Sequence, residues 1–97
     1  MHIKILYFAR LKEVVNYSNE DIELPITVNT IMALKNHLAL RGEHWANLFN
    51  GKQVVRAAIN HVLVDDLMYI NADDEVAFFP PVTGGELLTR LISEKKS

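Results

Sequence analysis

The chain contains no cysteine. This absence excludes disulfides, thiolate metal ligands and a cysteine nucleophile. Any sulfur chemistry in which the chain takes part must therefore use sulfur supplied from outside. A cysteine-free composition also fits a reducing compartment, and we expect a cytoplasmic protein.

The sequence also lacks an apolar run approaching the roughly 20 residues needed to cross a bilayer. Its first residues do not show the charged and then apolar layout of a signal peptide. Lysine and arginine number 10 against 12 aspartate and glutamate, and the formal net charge of −2 gives no basis for binding a phosphate backbone. We expect neither a membrane nor a nucleic acid as a partner.

Metal-binding patterns are missing as well. Of the four histidines, no pair has the i, i+4 spacing with a nearby carboxylate that zinc sites favour. The acidic run Asp73-Asp74-Glu75 lacks the alternating ligands and the central glycine of a calcium loop. We expect no metal site and no cofactor bound by this chain.

What the sequence does contain is enough apolar residues, 49% of 97, for one domain with a single core. Alternation predicts a first strand over 2–8, with Ile3, Ile5 and Tyr7 on one face and Phe8 on the other. Further strands are predicted over residues 21–24, 54–60, 63–64 and 75–79, the first of these forming a hairpin with strand 2–8.

Apolar spacing of three and four residues predicts a main helix over 30–41, with Asn29 as its N-cap and Gly42 as its stop. A short helical turn is predicted over 9–15. Trp45, Leu48 and Phe49 mark a second short helix that closes over the core. This pattern of elements favours an α+β fold.

The stretch from Glu75 to Gly85 joins the last strand to a tip without side chains. Parity places Phe78 inward and Phe79 outward, towards solvent. Pro80 and Pro81 lack amide donors, so they end strand pairing and send the chain away extended. A bare Gly84-Gly85 pair more often marks a hinge than a functional terminus, but two glycines could also thread a very narrow channel.

In the context Phe78-Phe79-Pro80-Pro81-Val82-Thr83-Gly84-Gly85, the diglycine resembles the end of a ubiquitin-like sulfur-carrier family, the small subunits of molybdopterin synthase. The resemblance extends over residues 2–85 and includes Leu6 to Glu13, Trp45 and Ala58 to Val64. It implies a β-grasp fold, in which a mixed sheet packs on one main helix. It also implies a hydrophobic docking surface at Phe8, Leu63 and Phe79, continued by the tail residues Pro80, Pro81, Val82 and Thr83.

The same resemblance implies a non-catalytic carrier whose chemistry is located at Gly84-Gly85. An E1-like activating enzyme would use ATP to adenylate the carboxylate of Gly85, and sulfur would then replace AMP to leave a thiocarboxylate. The large synthase subunit would accept the loaded tail and transfer its sulfur to a pterin precursor of the molybdenum cofactor. Both proteins are therefore expected partners.

Residues 86–97 depart from the family, because Gly85 is amide-bonded to Glu86 instead of ending the chain. We divide the chain into a carrier domain, 1–85, and an extension, 86–97. The extension has the pattern of an amphipathic helix, and its apolar stripe consists of Leu87, Leu88, Leu91 and Ile92. It is interpreted as a segment removed by a maturation protease, as a helix covering the aromatic surface, or as a remnant in a copy that carries no sulfur; we favour removal.

Two other functions remain open from the residues alone. One is a β-grasp interaction module that binds a partner without terminal chemistry. The other is a related sulfur carrier for thiazole synthesis or tRNA thiolation, against which the Phe-Phe-Pro-Pro-Val-Thr string argues.

Overall fold

The computed structural model describes residues 1–51 and 53–81. Its elements are, in chain order, β1 (His2–Tyr7), α1 (Arg10–Val15), β2 (Asn19–Glu23), α2 (Ile31–Ala39), α3 (Glu43–Phe49), β3 (Arg56–Ile59), β4 (Val62–Val64) and β5 (Glu75–Phe79). Every predicted strand and helix in this part of the chain is present, with ends that coincide with the predicted ones or differ by at most two residues. No helix within residues 1–51 and 53–81 has both the length and the apolarity to cross a membrane.

The five strands form one mixed sheet in the order β2-β1-β5-β3-β4. β1 and β5 are parallel neighbours at its centre, and the remaining pairs are antiparallel. The predicted hairpin is the pair β1 and β2, in which Ile5 lies opposite Glu20. Mixed pairing with the chain's last described strand in the centre is the β-grasp arrangement, so the predicted α+β fold is confirmed.

One face of the sheet packs against the helices and forms the core. Ile3, Ile5 and Tyr7 on β1 are at most 1% exposed, as parity predicts. From α2, the fully buried Leu34 and Leu38 enter the same cluster. Burial of each such side chain contributes about 1.5 to 3 kcal/mol before ordering entropy is subtracted, so this cluster holds the helices on the sheet.

The main helix is shorter than predicted at both ends. Thr30, and not Asn29, is the N-cap: its side-chain hydroxyl accepts a hydrogen bond from the amide of Ala33 at 3.1 Å. The carbonyl of Asn29 instead accepts the amide of Ile70, which ties this loop to the segment before β5. At the other end, the amide of Arg41 bonds to the carbonyl of Leu38, a tighter turn that ends the α-helix.

Helix α3 covers one end of the core, as predicted. Leu48 is buried, and the half-buried Trp45 and Phe49 pack against the core cluster. The Phe49 ring meets the Phe78 ring edge to face, with centroids 5.1 Å apart. Gly42 forms the junction with α2 at φ 155° and ψ −177°, a conformation reserved for glycine.

A polar network holds this covering helix to the sheet. The Tyr7 hydroxyl donates to Glu20 at 2.8 Å, and Arg41 donates two hydrogen bonds to the same carboxylate. The Arg41 guanidinium also lies 4.6 Å from the centroid of the Trp45 ring. Because Glu20 accepts from both partners, its charge is compensated although its side chain is only 14% exposed.

This network predicts loss of stability in alkali. Burial, followed by the hydrogen bond to Glu20, raises the pKa of Tyr7 far above its ordinary value. As pH rises past about 10, the unfolded chain therefore ionises at this tyrosine while the folded chain does not. We expect stability to be complete below about pH 10 and to fall above it by up to about 1.4 kcal/mol per pH unit.

Urea denaturation at several alkaline pH values measures this slope. Tyr7→Phe should remove its tyrosine component, whereas Tyr17→Phe, which changes a ring that is 48% exposed, should leave it in place. Equal slopes in the two variants would show that Tyr7 does not cause the loss.

Candidate functional site

Strand β5 carries the chain out of the middle of the sheet. It lies between β1 and β3, and its pairing with β3 ends where Phe79 faces Arg56. The next residue, Pro80, is half-buried, and Pro81 is exposed. The predicted end of strand pairing is confirmed at this position, because neither proline has an amide to donate. We call this end of the sheet the exit end.

The sheet face turned away from the helices carries a continuous apolar row. Strand register places Leu6 beside Ala77, Ala77 beside Ala58, and Ala58 beside Leu63, so the row crosses β1, β5, β3 and β4. Residues opposite each other on neighbouring strands share a face. We call this surface the rear face.

The structure brings the three predicted docking residues onto this one face. Phe8 and Phe79 belong to a small apolar cluster with Ala58 and Ala77. Leu63 lies directly opposite Ala58 on the edge strand β4 and is 50% exposed. Their placement off the main core is therefore as predicted.

The exposure predicted for Phe79 is wrong. Its ring does point away from the main core, but it is only 1% exposed. Strand parity determines the face on which a side chain lies and not how much of it its neighbours cover. Here the ring packs with Ala58, Ala77 and the half-buried Phe8. Among the three, Leu63 offers the most accessible apolar side chain.

Sequence reasoning missed the basic side chains at the exit end. Arg56 is exposed and lies directly opposite Phe79 in the register of β3 and β5. Arg10 begins α1 just after β1 and donates a hydrogen bond to Gln53 at 2.7 Å. A single arginine at the start of a strand belongs to no sequence motif. Its position beside Phe79 therefore follows only from the pairing register of β3 and β5.

The opposite end of the sheet is acidic. His2, at the start of β1, contacts Asp21 at 3.2 Å and Asp73 at 3.3 Å. The carboxylates gathered at or near this end belong to Asp21, Glu23, Asp73, Asp74 and Glu75. Acidic residues from two separate parts of the sequence, 21–23 and 73–75, thus meet at one place, where a basic segment would be attracted. We call this the acidic end.

The predictions made for Val82, Thr83, Gly84 and Gly85, and for the amphipathic extension 86–97, lie outside the described residues. Within 1–51 and 53–81, no three histidine, aspartate or glutamate side chains are grouped to hold a metal ion. The described part of the site is therefore an apolar sheet face beside a central chain exit.

Comparison with known proteins identifies the family of this chain. The profile of the ThiS family matches residues 5–85. The molybdopterin synthase sulfur carrier subunit of Escherichia coli K12 is 42% identical over 84 residues, which cover 86% of this chain and 99% of that relative. The corresponding subunit of Haemophilus influenzae is 39% identical over 84 residues and is also covered to 99%.

Solved structures agree with the fold. The complex of subunits 1 and 2 of molybdopterin-converting factor from Helicobacter pylori contains a chain matched with a TM-score of 0.60 at 24% identity, over 88% of this chain and 100% of that one. The family profile and the two sulfur-carrier relatives cover most of the sequence. The chain belongs to the ThiS family.

Proposed function

We propose that this chain is the sulfur-carrier subunit of a molybdopterin synthase and that Gly85 is its reactive end. The observation that carries the proposal is the point at which the likeness stops: the family match ends at Gly85. The Escherichia coli relative, described as a molybdopterin synthase sulfur carrier subunit, is covered to 99% by a match of 84 residues of this chain.

The chemistry requires a free carboxylate on Gly85. A carboxylate oxygen attacks the α-phosphate of ATP in an adenylating enzyme, which releases pyrophosphate and leaves an acyl-adenylate. Hydrosulfide delivered by another protein then attacks the carbonyl carbon and displaces AMP, and loss of the sulfur-bound proton leaves a thiocarboxylate. The thiocarboxylate finally gives its sulfur to the pterin precursor, and its carbonyl carbon takes an oxygen from water.

The fold contributes to these reactions in two ways: it directs the tail away from the sheet, and it provides a surface that binds the large synthase subunit. The chain leaves from the central strand β5, and two prolines direct it away from the sheet. The rear face then docks on the large synthase subunit through the exposed Leu63 and the half-buried Phe8, with the buried Phe79 supporting them from below, while Val82 and Thr83 extend the contact towards the diglycine. A partner of this kind is supported by the Helicobacter pylori neighbour, which was solved as a complex of subunits 1 and 2.

The peptide bond between Gly85 and Glu86 blocks this chemistry, since an amide carbonyl does not attack ATP as a carboxylate does. We therefore propose that a protease removes residues 86–97 before the carrier is loaded. Activation and transfer are placed in the cytoplasm, consistent with the absence of cysteine.

Intact-mass analysis of the protein from its native cell tests this function. We expect a chain that ends at Gly85, together with a second form in which one sulfur replaces one oxygen. Deleting the adenylating enzyme in the same cell should remove the sulfur-containing form and leave the shortened chain. A mature protein that always retains residues 86–97, with no thiocarboxylate, would refute the proposal.

A further inference from the structure

Two arginines flank the point at which the chain leaves the sheet. β5 lies between β1, which runs parallel to it, and β3. Arg10 comes shortly after the end of β1 and begins α1, whereas Arg56 begins β3 opposite Phe79. Both arginines are exposed. The chain therefore leaves the exit end between two basic residues.

Neither arginine is paired with a carboxylate of residues 1–51 and 53–81. The Arg10 guanidinium donates a hydrogen bond to the side-chain oxygen of Gln53, which is uncharged. The ion pairs of this part of the chain use other basic groups, such as Arg41 with Glu20. Arg10 also stands at the start of a helix, where the helix dipole disfavours a positive charge. The positive charges of Arg10 and Arg56 are therefore available to a partner.

Charge is separated along the strands of the sheet. The acidic end keeps negative charge although the N-terminal amine pairs with Glu23, because the carboxylate of Asp74 accepts hydrogen bonds only from neutral amide groups. The exit end carries the two unpaired arginines instead. A partner that presents carboxylates is attracted to the exit end and repelled by the acidic end, so its approach is oriented towards the tail.

Arg56 also borders the proposed docking surface. Residues opposite each other on neighbouring strands share a face, so Arg56 lies on the rear face with Phe79. Phe79 packs there with Phe8 and Ala58. Charged residues at the rim of an apolar contact set the orientation of the partner and the rate of association. Arg56 has this rim position.

We infer that Arg10 and Arg56 bind carboxylates of the large synthase subunit, around the opening that receives the tail. The inference rests on the proposed function, because it takes the large subunit as the partner of the rear face. It adds the chemistry of the contact, which is aspartate or glutamate side chains on the partner. A planar guanidinium can hold a carboxylate through two parallel hydrogen bonds, and this geometry fixes orientation as well as attraction.

The rate of association with the purified large subunit tests the contact. Arg10→Gln with Arg56→Gln should lower the association rate constant about tenfold at about 0.01 M salt, where charges act over about 30 Å. At about 1 M salt they act over only about 3 Å, so the parent and the variant should associate at equal rates. Each chain is measured both with all 97 residues and ending at Gly85.

The matched control is Thr27→Asp with Asn29→Asp, which lowers the formal net charge by the same two units. Both residues are exposed in the loop between β2 and α2, away from the exit end. This control should keep a rate close to that of the parent. Arg10→Lys with Arg56→Lys preserves the charge and should recover most of the rate. Equal losses in the glutamine variant and the aspartate control would show that only net charge matters and would overturn the inference.

Cross-linking identifies the partner's groups. A carbodiimide joins an amine to a carboxylate in contact with it, and it does not join a guanidinium. In the complex of the Arg10→Lys, Arg56→Lys chain with the large subunit, we expect linked peptides that connect positions 10 and 56 to aspartate or glutamate of the large subunit. Links from neither position would overturn the inference that carboxylates form the contact.

The proposed function and this inference fail in different ways. A parent chain that binds the large subunit in neither form would overturn the proposed function, and the inference with it. A parent chain that binds, together with a glutamine variant that associates at the same rate at low salt, would overturn the inference alone. If only the adenylating enzyme distinguishes the parent from the glutamine variant, the partner inferred for the two arginines is wrong.

Discussion

Leu34→Asp is expected to leave this chain unfolded at neutral pH. Leu34 is fully buried in the core between α2 and the sheet. Losing the leucine side chain costs about 2 to 5 kcal/mol. Keeping the introduced carboxyl neutral at pH 7 costs roughly a further 4 kcal/mol, given an ordinary pKa near 3.9. These costs together match much or all of the roughly 5 to 15 kcal/mol that stabilises a domain of this size.

Circular dichroism and urea titration measure the result, and Leu40→Asp is the matched control. Leu40 is the same residue type at the end of the same helix, but it is 84% exposed. The control should lose no more than about 1 kcal/mol, mostly from placing a negative charge near the helix C-terminus. A cooperative transition of Leu34→Asp within 1 kcal/mol of the parent chain would contradict the burial on which the fold depends.

Periodicity predicted the helices and strands well, because it reports the face that each element buries. Ile3, Ile5 and Tyr7 follow the strand period, and Leu34 and Leu38 follow the helix period. Element ends were less predictable. Asn29 and Thr30 are both good N-caps, and the choice between them is made by the hydrogen bond from Ile70 to the carbonyl of Asn29.

Strand order and pairing could not be obtained from periodicity at all. The parallel pairing of β1 with β5 joins the two ends of the domain, and local pattern contains no information about such distant contacts. The β-grasp topology was predicted from the resemblance alone. The network of Tyr7, Glu20 and Arg41 was missed for the same reason, since its hydrogen bonds join residues 13 and 21 positions apart.

For the candidate site too, the sequence predicted the sheet face on which a side chain lies but not which neighbours surround it. Parity correctly placed Phe8 and Phe79 away from the main core, and it was wrong about the exposure of Phe79 because the small cluster around Ala58 covers the ring. Arg56 became part of the site only through its register opposite Phe79. Motif spacing can propose a docking surface, but its exposure and charge depend on neighbours from other strands.

A chain that ends at Gly85 is expected to accept and transfer sulfur, whereas a chain that ends at Gly84 should lose at least about 100-fold in transfer rate. Removing one residue shortens the extended tail by about 3.3 to 3.6 Å. A displacement of about 1 Å from the reacting geometry can already cost about 100-fold. Single-turnover sulfur transfer from thiocarboxylated chains to the pterin precursor, in the presence of the large subunit, measures this loss.

Affinity separates loss of reach from loss of docking. The rear face is the same in both chains, so each should bind the large subunit with a similar dissociation constant. Deleting Thr83 from the chain that ends at Gly85 keeps the diglycine but also shortens the tail by one residue, and it should reproduce the kinetic loss. If the chain that ends at Gly84 transfers sulfur at a rate within tenfold of that of the longer chain, the rate of transfer from the terminal thiocarboxylate does not depend on the length of the tail. The proposal that the sheet binds the large subunit while the tail brings the thiocarboxylate to the reacting centre would then be wrong.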